Sequence, residues 1–165
     1  MASAPLNCVI EIPKGSRNKY EYDPRLGAIK LDRFVSASVV YPTDYGYLPE
    51  TTAPDGDPLD VLVCVSEPTF PGCVIPAKAV GLFRMADEKG PDDHLVCVPL
   101  EDPGWNEIEE VEQLPAQLRR EIEHFFSVYK DLEPGRYSEV RGWGDVAAAL
   151  RCLTEARERF RASRA

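Results

Sequence analysis

Three aspartates fall within six residues in Asp55-Gly56-Asp57-Pro58-Leu59-Asp60, and the apolar run Val61-Leu62-Val63-Cys64-Val65 follows at once. A turn built on glycine and proline that delivers three carboxylates onto a buried strand crowds like charges, and a bound cation relieves the crowding. Carboxylate oxygens with no pair of thiols or imidazoles beside them suit a hard ion, magnesium or calcium, rather than zinc or copper. The segment is not an EF-hand loop: Leu59 stands where the fifth loop ligand belongs, Asp60 stands where the glycine belongs, and no amphipathic helix flanks it. A solvated acidic turn is the alternative for these residues taken alone.

A second acidic turn, Asp87-Glu88-Lys89-Gly90-Pro91-Asp92-Asp93-His94, separates two apolar runs and puts Asp87 and Asp92 near the strand ends of a hairpin. Glu11 interrupts the run Val9-Ile10-Glu11-Ile12, and Glu21 shares a strand face with Lys19, with Tyr20 and Tyr22 opposite. Solvent-facing strand positions would account for either glutamate singly. The cationic and phenolic candidates are Lys19, Arg33, the pair Tyr129-Lys130, and Tyr41 and Tyr45. Ammonium, guanidinium and phenol groups beside a multi-carboxylate metal site are the parts needed to hold an anion, and phosphate is the natural one. No phosphate loop of the G-x-x-x-x-G-K-[ST] type and no G-x-G-x-x-G fingerprint occurs, which argues against a nucleotide site.

These side chains have to be positioned by strands. Short β-rich runs at Cys8 to Ile12, Ala28 to Val35, Ser38 to Tyr41, Val61 to Val65, Val74 to Phe83 and Leu95 to Val98, punctuated by Pro and Gly, predict a closed or nearly closed barrel. Asp23-Pro24-Arg25-Leu26-Gly27 predicts a hairpin turn between Lys19 to Tyr22 and Ala28 to Arg33. After an irregular acidic stretch, Glu101 to Glu112, the spacing of Leu118, Ile122, Phe125, Phe126 and Tyr129 predicts a helix with Pro115 in its first turn. A second helix is expected after Asp145 as cap, with Val146, Ala149, Leu150, Leu153 and Phe160 as its apolar stripe and Arg157, Arg159, Arg161 and Arg164 toward its C-terminus.

Composition narrows the function classes. The chain has 165 residues and a formal charge of −9, so no general basic face exists for nucleic acid or an anionic membrane. No apolar stretch approaches the ~18 residues that span a bilayer, and the N-terminus, Met1 to Val9, lacks the basic flank and apolar segment of a secretory signal. A single domain over residues 1–165 in the cytoplasm is expected. Cys8, Cys64, Cys73, Cys97 and Cys152 have no C-x-x-C spacing and are read as buried free thiols.

The motif Asp55-Gly-Asp57-Pro-Leu-Asp60-Val resembles the signature of the soluble family I inorganic pyrophosphatases, bacterial type. Val9-Ile-Glu11-Ile-Pro, Lys19-Tyr-Glu21, Asp32-Arg33-Phe, Tyr41-Pro, Tyr45-Gly-Tyr, Asp87, Asp92, His124-Phe-Phe and Tyr129-Lys130-Asp-Leu-Glu agree with that family in order and spacing. The resemblance implies an α+β, mainly β fold, a five-stranded OB-like barrel with flanking helices, and magnesium-dependent hydrolysis of pyrophosphate to two phosphates. It further implies that Asp55, Asp60 and Asp92 hold one metal, that Asp60 also serves a second, that Asp87 and Asp92 serve a metal arriving with substrate, and that Glu11 and Glu21 complete the cluster. Lys19, Arg33, Tyr45, Tyr129 and Lys130 resemble the phosphate-binding set. Asp57 resembles the general base, with Asp92 as the alternative. His94 stands where the family usually has a lysine, and is expected to face the substrate with a charge that depends on pH. By the same resemblance a homo-oligomer, a hexamer, is expected, with His124 on its interface helix. A non-catalytic magnesium- and phosphate-binding module would keep the same residues without turnover.

Overall fold

The computed structural model describes residues 4–165; Met1, Ala2 and Ser3, part of the segment read for a signal, lie outside the described residues. Among the described residues nine strands and two α-helices run in the order β1 (Leu6–Ile12), β2 (Asn18–Asp23), β3 (Ala28–Phe34), β4 (Asp44–Leu48), β5 (Leu59–Val63), β6 (Val74–Asp87), β7 (Gly90–Pro91), β8 (His94–Pro99), α1 (Ala116–Val128), β9 (Ser138–Gly144) and α2 (Val146–Ser163). The strands pair in the order β1-β4-β5-β8-β6, and β1 also pairs with β6, so five strands close into a ring. All of these pairings are antiparallel except β5 with β8.

β6 makes the closure possible. Its start, Val74 to Ala77, pairs with β1, its middle with β8, and its end, Leu82 to Asp87, with β9. The register shifts between Ala79 and Gly81, where a Cβ on Gly81 would collide with Val111. A bulge of this kind bends a strand and lets one chain segment serve several partners.

Two apolar layers result. One, including Cys8, Ile10, Val61, Val63, Leu95 and Cys97, packs against Ala149, Leu153 and Ala156 of α2. The other, including Leu62, Phe83, Met85, Val96 and Val98, packs against Ile122, Phe125 and Phe126 of α1. Alternate residues of one strand therefore serve opposite sides, the period-2 consequence of the pleat.

The expected hairpin is present as a separate two-stranded ribbon, β2–β3, with Lys19 opposite Arg33 and Gly27 at φ +62° closing the turn. Four expectations need correction. Ser38 to Tyr41 is an irregular connection and the strand begins at Asp44. β9 was not expected: Ser138-Glu-Val-Arg-Gly-Trp-Gly carries only two apolar residues, and it forms because β6 offers an open edge. Pro115 is the N-cap of α1 rather than its first helical residue. α2 buries Ala148, Ala149, Leu153 and Ala156 while Leu150 is exposed, although Asp145 caps it as expected by accepting from the Ala148 N–H at 2.8 Å. All five cysteines are free, but Cys73 and Cys152 are only partly buried.

Candidate active site

Asp55 and Asp57 are exposed on the loop between β4 and β5, and Asp60 is the second residue of β5. The loop is pinned at both ends. Thr51 is buried, its hydroxyl donates to the Leu48 carbonyl at 2.5 Å and accepts from the Leu59 N–H at 2.9 Å. Within the loop the Asp57 N–H donates to Asp55 Oδ1 at 3.0 Å, and Gly56 takes φ +94°, a conformation that side chains rarely adopt. α2 holds the approach: the Thr52 N–H donates to the Ala156 carbonyl at 2.9 Å, and Arg159 Nη1 to the Thr52 carbonyl at 3.0 Å.

Asp92 follows the β6–β7 turn, and its N–H donates to the Met85 carbonyl at 2.8 Å. Asp60, Asp92 and His94 converge, each offering a ligand atom within 4.8 Å of the others. Burial pushes Asp60 well above the usual carboxylate range, with Asp92 adding to the rise, whereas His94 and Lys130 hold Asp92 down at about 2 against its own burial. Two carboxylates this close oppose one another's ionisation, a strain that a bound cation would relieve. Tyr45 lies against Asp60; burial first, then Asp60 and Asp92, pushes its phenol well up, so it remains a hydrogen-bond donor.

Glu11, on β1, accepts from the Tyr22 N–H at 2.8 Å. Burial raises it to about 7, and Glu21 and Asp57 push the same way. Glu11 thus feels the charge of both Glu21 and Asp57, and Asp55 feels both Asp57 and Asp92. A chain of mutually repelling carboxylates runs from the ribbon through the loop to Asp60. Such an array fits a cation: oxygen donors are in excess, and burial together with neighbouring carboxylates raises Glu11, Asp55 and Asp60.

A cleft beside it gathers the basic residues, lined by Lys19, Arg33, Tyr41, Tyr129 and Lys130. Lys19 Nζ lies 3.1 Å from Asp32 Oδ2, Arg33 Nε 3.3 Å from the same oxygen, and Arg33 Nη1 3.4 Å from Glu133. Lys130 is buried, donating to Asp87 at 3.0 Å and to Glu88 at 3.3 Å. Tyr129 caps α1 at the centre; burial raises its phenol well above its usual value, and Tyr41, Asp92, Asp87 and Asp60 all add to the rise. Anion-binding and cation-binding groups thus adjoin across Tyr129.

Residues 8–161 of the chain match the family model described as inorganic pyrophosphatase. The chain belongs to the inorganic pyrophosphatase family. The inorganic pyrophosphatase of Methanosarcina acetivorans is 55% identical over 152 residues, 92% of this chain and 90% of that protein, and the one from Streptomyces coelicolor is 51% identical over 152 residues, 92% and 93%. The crystal structure of the inorganic pyrophosphatase from Thermus thermophilus is similar with a TM-score of 0.93 at 45% identity, covering 98% of this chain and 95% of that one.

Within this family frame, the structure brings together Asp60 and Asp92 directly, and Lys19, Arg33, Tyr129 and Lys130 around one cleft. Asp87 is engaged by Lys130 rather than by the other carboxylates. His94 is not among the residues lining the basic cleft: it is 1% exposed, and its Nε2 lies 3.3 Å from Asp92 and 3.5 Å from Asp60. Asp32, Glu88 and Glu133, which hold the three cations, were not singled out in the sequence. Asp32-Arg33 is adjacent in the chain and signals its own pairing, but Glu133 reaches Arg33 across 100 residues and leaves no local mark. Among the described residues no helix is long and apolar enough to cross a membrane.

Proposed function

We propose that this chain hydrolyses inorganic pyrophosphate to two phosphates with magnesium. The observation that carries the reading is the adjacency of the Asp60–Asp92 group to the cleft of Lys19, Arg33, Tyr129 and Lys130 in a member of this family. Magnesium, when bound, would supply an acidified water and neutralise phosphate oxygens. Asp55, Asp60 and Asp92 would hold it, with Asp87, Glu11 and Glu21 completing the acidic array. Asp57, exposed on a loop whose backbone is shaped by Asp55 and Gly56, would take the proton from the attacking water, and Asp92 is the second candidate.

Lys19, Arg33 and Lys130 exchange carboxylate partners for phosphate oxygens, which costs little because Asp32, Glu88 and Glu133 prepay their orientation. Tyr45 and Tyr129, kept protonated, donate to the departing phosphate. The acidic composition and the free thiols support a cytoplasmic setting. Exposed His124 on α1, beside a groove with Val39, Val40 and Phe125, supports a homo-oligomer, with hexamer as the expected form.

Phosphate release from pyrophosphate tests the reading. Turnover is expected with magnesium, loss of it with a chelator, and little with calcium, whose looser shell does not hold water and phosphate oxygens in line. Phosphate-binding without turnover would establish the non-catalytic alternative, and equal rates with both ions would remove the magnesium-acidified water from the reading.

A further inference from the structure

His94 opens β8 two residues after Asp92, and its ring is enclosed by Phe126, Tyr45 and Phe83 at centroid separations of 5.2, 5.5 and 6.3 Å. The enclosure fixes the ring and leaves one edge open, toward Asp60 and Asp92. Neither ring nitrogen makes an aligned hydrogen bond, although both are shut off from solvent. Nε2 is met only at ion-pair distance by two half-buried carboxylates, an arrangement that a cation shared by all three would satisfy better.

The spacing suits a small, low-coordinate cation. Three donors placed tetrahedrally at about 2.0–2.1 Å from one ion lie about 3.3–3.5 Å apart, whereas adjacent donors on octahedral magnesium at about 2.0–2.1 Å lie about 3.0 Å apart. His94 Nε2 is 3.3 Å from Asp92 Oδ2 and 3.5 Å from Asp60 Oδ2. Imidazole nitrogen also favours borderline first-row ions, which magnesium does not resemble.

We propose that Asp60, Asp92 and His94 form a mixed carboxylate–imidazole site that binds a four-coordinate ion of the zinc class, with water at the open position, and so makes His94 the residue that sets metal selectivity here. The proposal rests on Asp60 and Asp92 being metal ligands. Lysine at position 94 would place an ammonium against the incoming ion; histidine replaces repulsion with a ligand.

The test uses metal-free full-length protein without pyrophosphate, so its failure leaves the hydrolytic reading standing. Zinc affinity is measured by competition with a chromophoric chelator, magnesium affinity by calorimetry, and cobalt geometry by visible absorption. His94→Gln and His94→Lys should each weaken zinc by at least about tenfold and abolish the intense absorption of four-coordinate cobalt, while His94→Gln lowers magnesium affinity far less. Unchanged zinc affinity in variants that keep the native circular dichroism, or a pale six-coordinate cobalt spectrum in the unaltered protein, overturns the proposal. Should the variants not fold, the unaltered protein still decides. Its 2 histidines give separate ring-nitrogen NMR signals, with His124→Gln assigning them, and zinc must shift a nitrogen of His94. No shift refutes the site.

Discussion

Asp57 and Asp60 stand three residues apart in different surroundings, one exposed on a loop tip, the other half-buried on β5 beside Asp92. Asp57→Asn removes a proton acceptor but no crowded ligand, so kcat should fall about 100-fold or more with the magnesium requirement nearly kept. Asp60→Asn should shift the magnesium requirement first. Magnesium titrations of both variants check this, and a large metal shift in Asp57→Asn would transfer the role of base to Asp92.

Glu11 carries a pH dependence of its own. Its carboxyl titrates near 7 in the folded metal-free protein against 4.5 as an ordinary glutamate, so between these values the native state keeps a proton that the unfolded chain has lost. Stability therefore declines as pH rises from 4.5 to 7, by about 3 kcal/mol from this residue. His94, raised by Asp92 and Asp60 against its burial, adds a loss of the same sign as pH climbs from 6.5 through its folded value. Glu11→Gln should remove the larger share, seen as urea midpoints in chelator that differ from the unaltered protein at pH 7 but converge near pH 4.5. Excess magnesium should flatten both profiles.

Between residue and fold stands the pinned loop from Thr51 to Leu59. Thr51→Val strips the hydroxyl from two buried backbone groups, the Leu48 carbonyl and the Leu59 N–H, at a cost of about 1–3 kcal/mol. Because those groups bound the loop bearing Asp55 and Asp57, the magnesium concentration for half-maximal rate should rise alongside the fall in melting temperature. A fall in stability with an unshifted magnesium curve would show that the loop holds its shape without Thr51. The motif Asp55-Gly-Asp-Pro-Leu-Asp60 was legible because a turn and a strand signal are local. The ring was legible as a set of strands, but not its closure: the β1–β6 pairing joins Leu6 to Ala77, and nothing in either segment announces the other. β9 escaped notice because its stability comes from the β6 edge rather than its own composition. The likeness of Lys19 and Arg33 to a phosphate-binding set was readable, their direct opposition across the ribbon was not, since register needs both strands placed.

For the molecule as a whole, a formal charge of −9 and an array of unsatisfied carboxylates mean that divalent ions bind the native state far better than the unfolded one. Magnesium at about 100 times its Kd should add about 2.7 kcal/mol, or about 5–10 °C in Tm for a chain of this size. Differential scanning calorimetry with magnesium and with chelator at matched ionic strength measures it; an equal gain from potassium chloride would assign the effect to general screening.

The β2–β3 ribbon stands outside the ring and has no third strand. Two strands alone hold together weakly, yet this ribbon brings Lys19 and Arg33 to the cleft from a footing tied down by Arg17 with Val35 and by Glu11 with Tyr22. Its amides should therefore trade their protons with solvent through local opening long before those of β5, β6 and β8 do. When phosphate bridges the ribbon to Lys130, that traffic must slow at Lys19 to Tyr22 and at Ile29 to Arg33 while the ring's rates stay as they were. Deuterium uptake with and without phosphate would thus show whether the anion is captured by this loosely anchored ribbon.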